Sequence, residues 1–309
     1  PDIPYLLAQK LIRKGQLRVN GKRAKADQRL EEGQELRLPP VVKDIPNYKR
    51  PELSDEDADF MRSLVIHDDG DVIAINKPYG LAVQGGTKIG RHVDGMLDAL
   101  MNKEGVRPRL VHRLDKDTSG VLLLARSAKV AKALGERFKS REIRKIYWAV
   151  VTRVPESQAG AIRAPIIKAG GANKERMVVD DKEGKKSVTE YEVIEHAHRQ
   201  AAFLAFWPRT GRTHQIRVHA ELMGCPILGD KKYKGLPHEG YHEPEEFDLT
   251  QMELADRLHL HAHRITCSHP TQKGALDIVA PLSPELKKSW KSLGFDSSFK
   301  GDIFENVKI

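Results

Sequence analysis

Apolar residues recur every three or four positions in several stretches of the chain, a spacing that predicts amphipathic helices. Two of these stretches begin at capping signals: Ser127 precedes one of them, and Ser283 followed by Pro284 precedes another. The predicted helices cover residues 6–12, 127–138, 213–224 and 283–294.

Other stretches alternate between apolar and polar residues, or stay apolar over several positions, and these favour strands. The dipeptides Asn20–Gly21 and Asp69–Gly70 are typical of tight turns between paired strands. The predicted strands lie within residues 17–23, 32–39, 63–78, 121–125, 143–151, 187–195 and 201–208. Because strands come in runs with few helices between them, we expect an α+β fold with a mainly antiparallel mixed sheet.

Length and composition indicate a globular chain of about two units. The 309 residues are 39% hydrophobic and 31% charged, and no apolar run approaches the roughly 20 residues of a membrane span. Cys225 and Cys267 are too few for a disulfide framework, so we expect a reducing, cytoplasmic location. The sequence starts at Pro1, so a targeting segment before it would make a mitochondrial location possible.

Positive charge is concentrated at the start of the chain, where residues 1–50 hold six of the nine net charges. This excess favours a module that binds a polyanion, although a solvated helix face would also be basic. RKGQLRVNGKRA (13–24) and EEGQELRL (31–38) resemble the S4 RNA-binding domain. The resemblance implies a partial S4 domain over residues 1–40, with its first helix before Pro1, a linker over 41–60 and a second domain over 61–309. Its expected RNA contacts are Lys14, Arg18, Lys22 and Arg23.

The densest polar cluster is VHRLDKDTSG (111–120), which precedes an apolar strand. Ordinary turn chemistry would explain its Asp, Thr, Ser and Gly residues. Asp115 to Thr118 also matches the DxDxT pattern of haloacid-dehalogenase-type phosphatases, but the apolar strand follows the motif instead of leading into it. Asp230 is the available later acid, and a second acid for the metal is missing there.

Histidines suggest a zinc site, since four of them lie within residues 259–269 and His219 to Glu221 resembles the H-x-E of zinc deaminases. Those enzymes also need a P-C-x-x-C pair, which this sequence lacks. An alternating HLHAH strand is more typical of packed, hydrogen-bonded histidines. We therefore expect no metal site.

Three segments in order resemble the RluA-type pseudouridine synthases: HRLDKDTSG (112–120), RKIYWAV (144–150) and GRTHQIRVH (211–219). INKPYGLAVQGG (75–86), PILGD (226–230) and LHAHRITCSHP (260–270) extend the resemblance over nearly all of the second unit. With the S4-like start, it is nearest the RluC branch, which implies an enzyme that isomerises uridine in large-subunit ribosomal RNA. The isomerisation consumes no electrons, phosphate or net water, so we expect no cofactor. We also expect a monomer. The alternatives are a synthase acting on transfer or mitochondrial RNA, and a catalytically silent RNA-binding or ribosome-assembly protein.

The chemistry requires a carboxylate near the anomeric carbon of the ribose, as nucleophile or as base at the neighbouring carbon. By motif position this carboxylate is Asp115. Arg217 matches the family cation that keeps such a carboxylate ionised. Tyr147 matches the family tyrosine that packs on the target base and could accept the proton from carbon 5, although an ordinary inward-facing strand tyrosine would fit the same position.

Four further residues are expected to contact RNA. Arg113 matches the family arginine that fills the space left by the flipped nucleotide, and Ile216 is expected to form an apolar wall of the pocket. Lys77 and Arg212 are expected to be phosphate or loop contacts.

Overall fold

The computed structural model describes residues 5–39, 53–86, 90–170, 176–198, 200–234, 252–299, 301 and 303–304. The chain divides into two compact units, Pro1–Ser54 and Asp55–Ile309. Among the described residues, no helix is long and apolar enough to cross a membrane.

Over its described residues, the first unit has one helix and three short antiparallel strands. These are α1 (Tyr5–Arg13), β1 (Arg18–Val19), β2 (Lys22–Arg23) and β3 (Leu36–Arg37), and the strand order is β2-β1-β3. Asn20 and Gly21 both have positive φ, as the predicted hairpin turn requires. The small core contains Leu11, Leu17, Val19 and Ala24, so α1 buries the predicted apolar face; the side chain of Leu6 lies outside the described residues.

The predicted linker over 41–60 is wrong at its end, because α2 (Asp55–Ser63) begins within it. This helix belongs to the second unit and buries Ala58 and Met61. Three acidic residues in its first turn stabilise the positive end of the helix dipole. Residues 40–52 lie outside the described residues.

The second unit is built on a ten-stranded mixed sheet with helices packed against it. Its further helices are α3 (Val93–Met96), α4 (Ala128–Ser140), α5 (Gln215–Leu222) and α6 (Pro284–Ser292), with a 3₁₀ helix over Leu97–Leu100. Its strands are β4 (Val65–Asp68), β5 (Val72–Lys77), β6 (Arg109–Leu110), β7 (Ser119–Ala125), β8 (Arg144–Thr152), β9 (Ala159–Arg163), β10 (Ile166–Lys168), β11 (Met177–Val179), β12 (Val188–Ala197), β13 (Ala201–Pro208), β14 (Leu260–Ser268) and β15 (Ala275–Val279).

The order in the large sheet is β4-β5-β7-β14-β8-β13-β12-β9, with β6 on β7 and β15 on β14. The β14–β7 pair is parallel and the other pairs are antiparallel, which confirms the predicted fold class. Strands β10 and β11 form a separate hairpin.

Alternation along β8 separates the two faces of the sheet. Trp148 and Val150 join a core with α6, whereas Tyr147 and Ala149 belong to the core that contains Ile216 of α5. Both predicted caps form: Ser127 accepts a hydrogen bond from the Val130 N–H, and Ser283 accepts one from the Leu286 N–H. Local sequence signals therefore fix the helix starts.

Gly120 allows the polar motif to join the sheet. It is the second residue of β7 and lies opposite Ala262 of β14 with a φ of 113°, and a Cβ there would lie 2.2 Å from the Ala262 carbonyl oxygen. A larger residue would force the strands apart, so glycine is required at this point. The pairing fixes the start of β7, into which the polar motif leads.

Candidate active site

A cavity of about 920 Å³ opens where the three motif segments meet. It is lined by the segment before β7, by the start of β8, and by the connection from β13 to α5. Asp115, Tyr147 and Arg217 line it together, although long stretches of sequence separate them. The chain reversal between antiparallel strands thus brings one residue from each motif to a single site.

Asp115 lies half-buried in a turn closed by a hydrogen bond from the Thr118 N–H to the Asp115 carbonyl oxygen (3.1 Å). Within the described residues, no basic side chain lies within 4 Å of its carboxylate. The carboxylate is therefore available to a substrate in the cavity.

Arg217 does not form the expected pair with Asp115. Its Nε and one terminal nitrogen donate to both carboxylate oxygens of Asp230, at 2.6 and 2.7 Å. Asp230 also accepts hydrogen bonds from the backbone N–H groups of Lys232 and Tyr233, and its carboxylate is fully buried. The remaining terminal nitrogen of Arg217 lies 3.6 Å from Asp117. Arg217 is thus a rigidly held cation that acts on Asp115 through space.

Tyr147 and Ile216 form part of the apolar lining. Tyr147 is half-buried on β8, and Ile216 is 7% exposed at the start of α5. Burial and the negative charge of Asp115 both raise the pKa of the Tyr147 phenol. The phenol therefore stays protonated at neutral pH.

The expected phosphate contact at Lys77 is wrong, because this side chain is completely buried. Its ammonium donates to the carbonyl oxygens of Pro78, Leu81 and Lys116. Burial lowers its pKa to about 7, and the charge of Asp115 opposes this shift. Lys77 instead ties the 78–81 loop to the turn that carries Asp115.

The other predicted RNA contacts at the cavity, Arg113 and Arg212, are exposed and line it. Gln215 supports Arg212: its side-chain oxygen accepts from the Arg212 N–H and from the Thr210 hydroxyl, at 3.1 and 2.7 Å. The GRTHQ segment therefore presents a basic loop anchored by a buried glutamine.

In the first unit, Lys14, Arg18, Lys22 and Arg23 are all exposed. Strand register places Arg18 directly opposite Arg23 on one side and Arg37 on the other. Residues opposite one another share a face of the sheet, so three arginines form a row. This row is suited to a phosphate backbone.

The buried histidines have packing and hydrogen-bonding roles. His219 bonds with Thr189 and Ser187, and His263 stacks on Trp148 with ring centroids 3.5 Å apart. Arg257 donates to the Ser119 hydroxyl, which lies 3.0 Å from His261. In the part of the chain that the structure describes, no three His, Cys, Asp or Glu residues are grouped to hold a metal ion.

Comparison with known proteins identifies the family. The model of the family described as "RNA pseudouridylate synthase" matches residues 71–222, and the model described as "S4 domain" matches residues 7–36. "Ribosomal large subunit pseudouridine synthase C" of Vibrio vulnificus (strain CMCP6) is 34% identical over 301 residues, or 94% of this chain and 89% of the relative. The chain belongs to the RNA pseudouridylate synthase family.

Two further comparisons agree with this assignment. The protein of the same name from Escherichia coli (strain K12) is 35% identical over 296 residues, with 94% of this chain and 89% of the relative covered. The solved structure of "Human RNA Pseudouridylate Synthase Domain Containing 4" is 29% identical, has a TM-score of 0.64, and covers 77% of this chain and 97% of that one. This RNA pseudouridine synthase therefore has the fold and the appended S4 domain that its sequence motifs predict.

Sequence reasoning missed three residues of the pseudouridine synthase site. Asp230 was considered as a metal ligand, whereas it is the partner of Arg217. Lys145 lies two positions before Tyr147, and strand alternation could have placed both on the cavity side. His112 lies next to Arg113 and also lines the cavity, but nothing in the local sequence reveals its hydrogen bond to β7.

Proposed function

We propose that this chain converts uridines of large-subunit ribosomal RNA to pseudouridine, with Asp115 as the catalytic carboxylate. The observation that carries the proposal is the convergence of Asp115, Tyr147 and Arg217 on one cavity. The relatives named for the large ribosomal subunit, which align over almost the whole chain, support the choice of RNA.

The reaction breaks the bond from ribose carbon 1′ to N1 and forms one from carbon 1′ to carbon 5 of the same uracil. Carbon 5 loses a proton and N1 gains one, so atoms and charge balance. Asp115 assists either by attacking carbon 1′ or by removing a proton from carbon 2′. Because the Tyr147 phenol stays protonated, packing against the base is favoured over accepting the carbon 5 proton.

Arg217 contributes a fixed positive charge. Asp230 holds one edge of the guanidinium, while the other terminal nitrogen is buried without a hydrogen-bond partner in the described structure. This nitrogen lies on the side of the Asp115–Asp117 turn and is positioned to stabilise negative charge on substrate or carboxylate. Arg113, exposed beside the cavity, is the residue we assign to the space left by the flipped uridine.

The test compares two aspartates of the same turn. Asp115→Asn should lower pseudouridine formation by about 10³-fold or more while RNA affinity is retained, because only the reacting carboxylate is lost. Asp117→Asn, whose side chain is 36% exposed, should retain most of the activity. The readout is proton release from carbon 5 of uridine in RNA, with binding measured in parallel.

Turnover by Asp115→Asn would disprove the mechanism, and a wild-type chain that binds RNA without turnover would indicate a silent binding protein. Mapping pseudouridines in cells that lack the chain then tests the substrate: sites should disappear from large-subunit ribosomal RNA. Their loss from transfer or mitochondrial RNA instead would overturn that assignment. The cytoplasmic location and the monomeric state stay predictions.

A further inference from the structure

Lys145 is a cation of the cavity that the reaction scheme leaves unused. It lies two residues before Tyr147 on β8, so both side chains are on the cavity side of the strand. Its ammonium nitrogen would be 3.9 Å from a Cβ placed on Gly211, and it therefore lies beside the loop that carries Arg212.

Two arginines of the cavity have carboxylate partners, whereas within the described residues no carboxylate is paired with Lys145. Arg217 is paired with Asp230, and Arg209 with Glu190 at 2.8 Å. In the described structure, no acid and no carbonyl oxygen is bonded to the Lys145 ammonium. Burial lowers the pKa of Lys145 and no nearby carboxylate offsets that effect, so the protonated form gains from a ligand that brings negative charge.

His112 is next to Lys145 and has a fixed tautomer. The Leu123 N–H donates to His112 Nε2 at 2.8 Å, so the proton of the neutral ring is on Nδ1. Burial and the charge of Lys145 lower the pKa of His112 to about 3, which keeps the ring neutral. Stacking on Phe138, with centroids 4.6 Å apart, fixes its plane. The ring can therefore donate a hydrogen bond from Nδ1.

We propose that Lys145 and His112 form a phosphate subsite that binds the RNA strand next to the flipped uridine. The inference rests on the proposed function, because a nucleotide drawn into this cavity brings its flanking phosphates with it. The lining has a basic excess, as expected for such a ligand. Its Lys and Arg residues are Arg113, Lys139, Arg141, Lys145, Arg209, Arg212 and Arg217, and its acids are Asp115 and Glu190.

The test couples a protein substitution to a neutralised phosphate. Lys145→Met should weaken binding of a hairpin containing the target uridine by about five- to tenfold at 0.1 M salt, and reduce the slope of log affinity against log salt by about 1. Lys145→Arg should restore most of the affinity. A methylphosphonate replaces one phosphate by a neutral group. At one position flanking the target uridine, it should lower the affinity of wild type by the same five- to tenfold, and it should not lower the affinity of Lys145→Met further.

A second variant probes the subsite with Lys145 in place. Gly211→Val directs a side chain toward the ammonium and, among the described atoms, meets nothing else at its Cβ within 4 Å. It should weaken binding as Lys145→Met does. Unchanged binding by Lys145→Met would overturn the proposal. So would a further loss of affinity by Lys145→Met at every neutralised phosphate, because no phosphate would then depend on Lys145. Failure of the proposed function would give a different result, namely a wild-type chain that forms no pseudouridine. The binding measurements would still decide whether the subsite exists.

Discussion

The two units of the chain place arginine in opposite surroundings. In the first unit, Arg18, Arg23 and Arg37 lie side by side and exposed, and within the described residues no carboxylate is paired with them. In the second unit, Arg217 is 2% exposed and has a dedicated carboxylate, Asp230.

This difference follows from the solvation of charge. Water stabilises an exposed guanidinium, so a row of arginines needs no partner to fold and stays available to an RNA backbone. A buried guanidinium lacks that solvation and requires a carboxylate with good geometry. The first unit is thus suited to salt-dependent attraction, and the second to a charge held in one place.

Removing the partner of the buried arginine should have the largest effect. Asp230→Asn leaves the Arg217 charge with only the longer contact to Asp117, and we expect the free energy of unfolding to fall by about 3–5 kcal/mol. Asp277→Asn is the matched control, because Arg264 makes the same bidentate pair with Asp277 at a more exposed position. Its cost should stay below about 1 kcal/mol. Urea unfolding measures the free energy of unfolding of both variants. Equal losses would show that burial does not distinguish the two arginine environments.

The second contrast concerns pH. Residues 1–54 contain no histidine, whereas burial lowers the pKa of His259 and His261 to about 4 and of His263 to about 3. Below about pH 6.5 the unfolded chain therefore takes up protons that the folded unit does not. The contribution of these neutral histidines to stability is fully present above pH 6.5. It should be lost as the pH drops toward 4, by about 1–3 kcal/mol for each histidine.

His263→Phe tests this directly, since it keeps a ring on Trp148 and removes a buried nitrogen without a hydrogen-bond partner. Its unfolding midpoint in urea should depend less on pH between 6.5 and 4 than that of wild type. His196→Phe, at an exposed position on β12, should leave the pH dependence unchanged. If both variants keep the wild-type slope, buried histidines are not the source of acid sensitivity.

Features that depend on neighbouring residues were predictable from the sequence. The caps at Ser127 and Ser283, the Asn20–Gly21 turn and the alternation along β8 all act within a few residues. The start of α2 was missed because few apolar residues mark it, although its three leading acids were a usable signal.

Partner choice across the chain was not predictable in this way. The motifs brought Asp115 and Arg217 to one site, yet the carboxylate that binds Arg217 comes from the loop after α5 and is held by the backbone N–H groups around Asp230. Lys77 was expected at the surface because lysine usually is. Its burial depends on three carbonyl oxygens from two loops, which only the folded chain brings together.

The smallest effect is expected at the exposed row. Arg18→Ala should weaken RNA binding by about five- to tenfold at 0.1 M salt and reduce the salt slope by about 1, because one phosphate contact is lost. Stability should not fall, since Arg18 faces like charges on both neighbouring strands and their repulsion is relieved. Lys132→Ala, an exposed position on α4 with a side chain 80% accessible, controls for general charge. A loss of stability without a change in salt slope would mean that the row supports the fold, and the contrast between the two units would then fail.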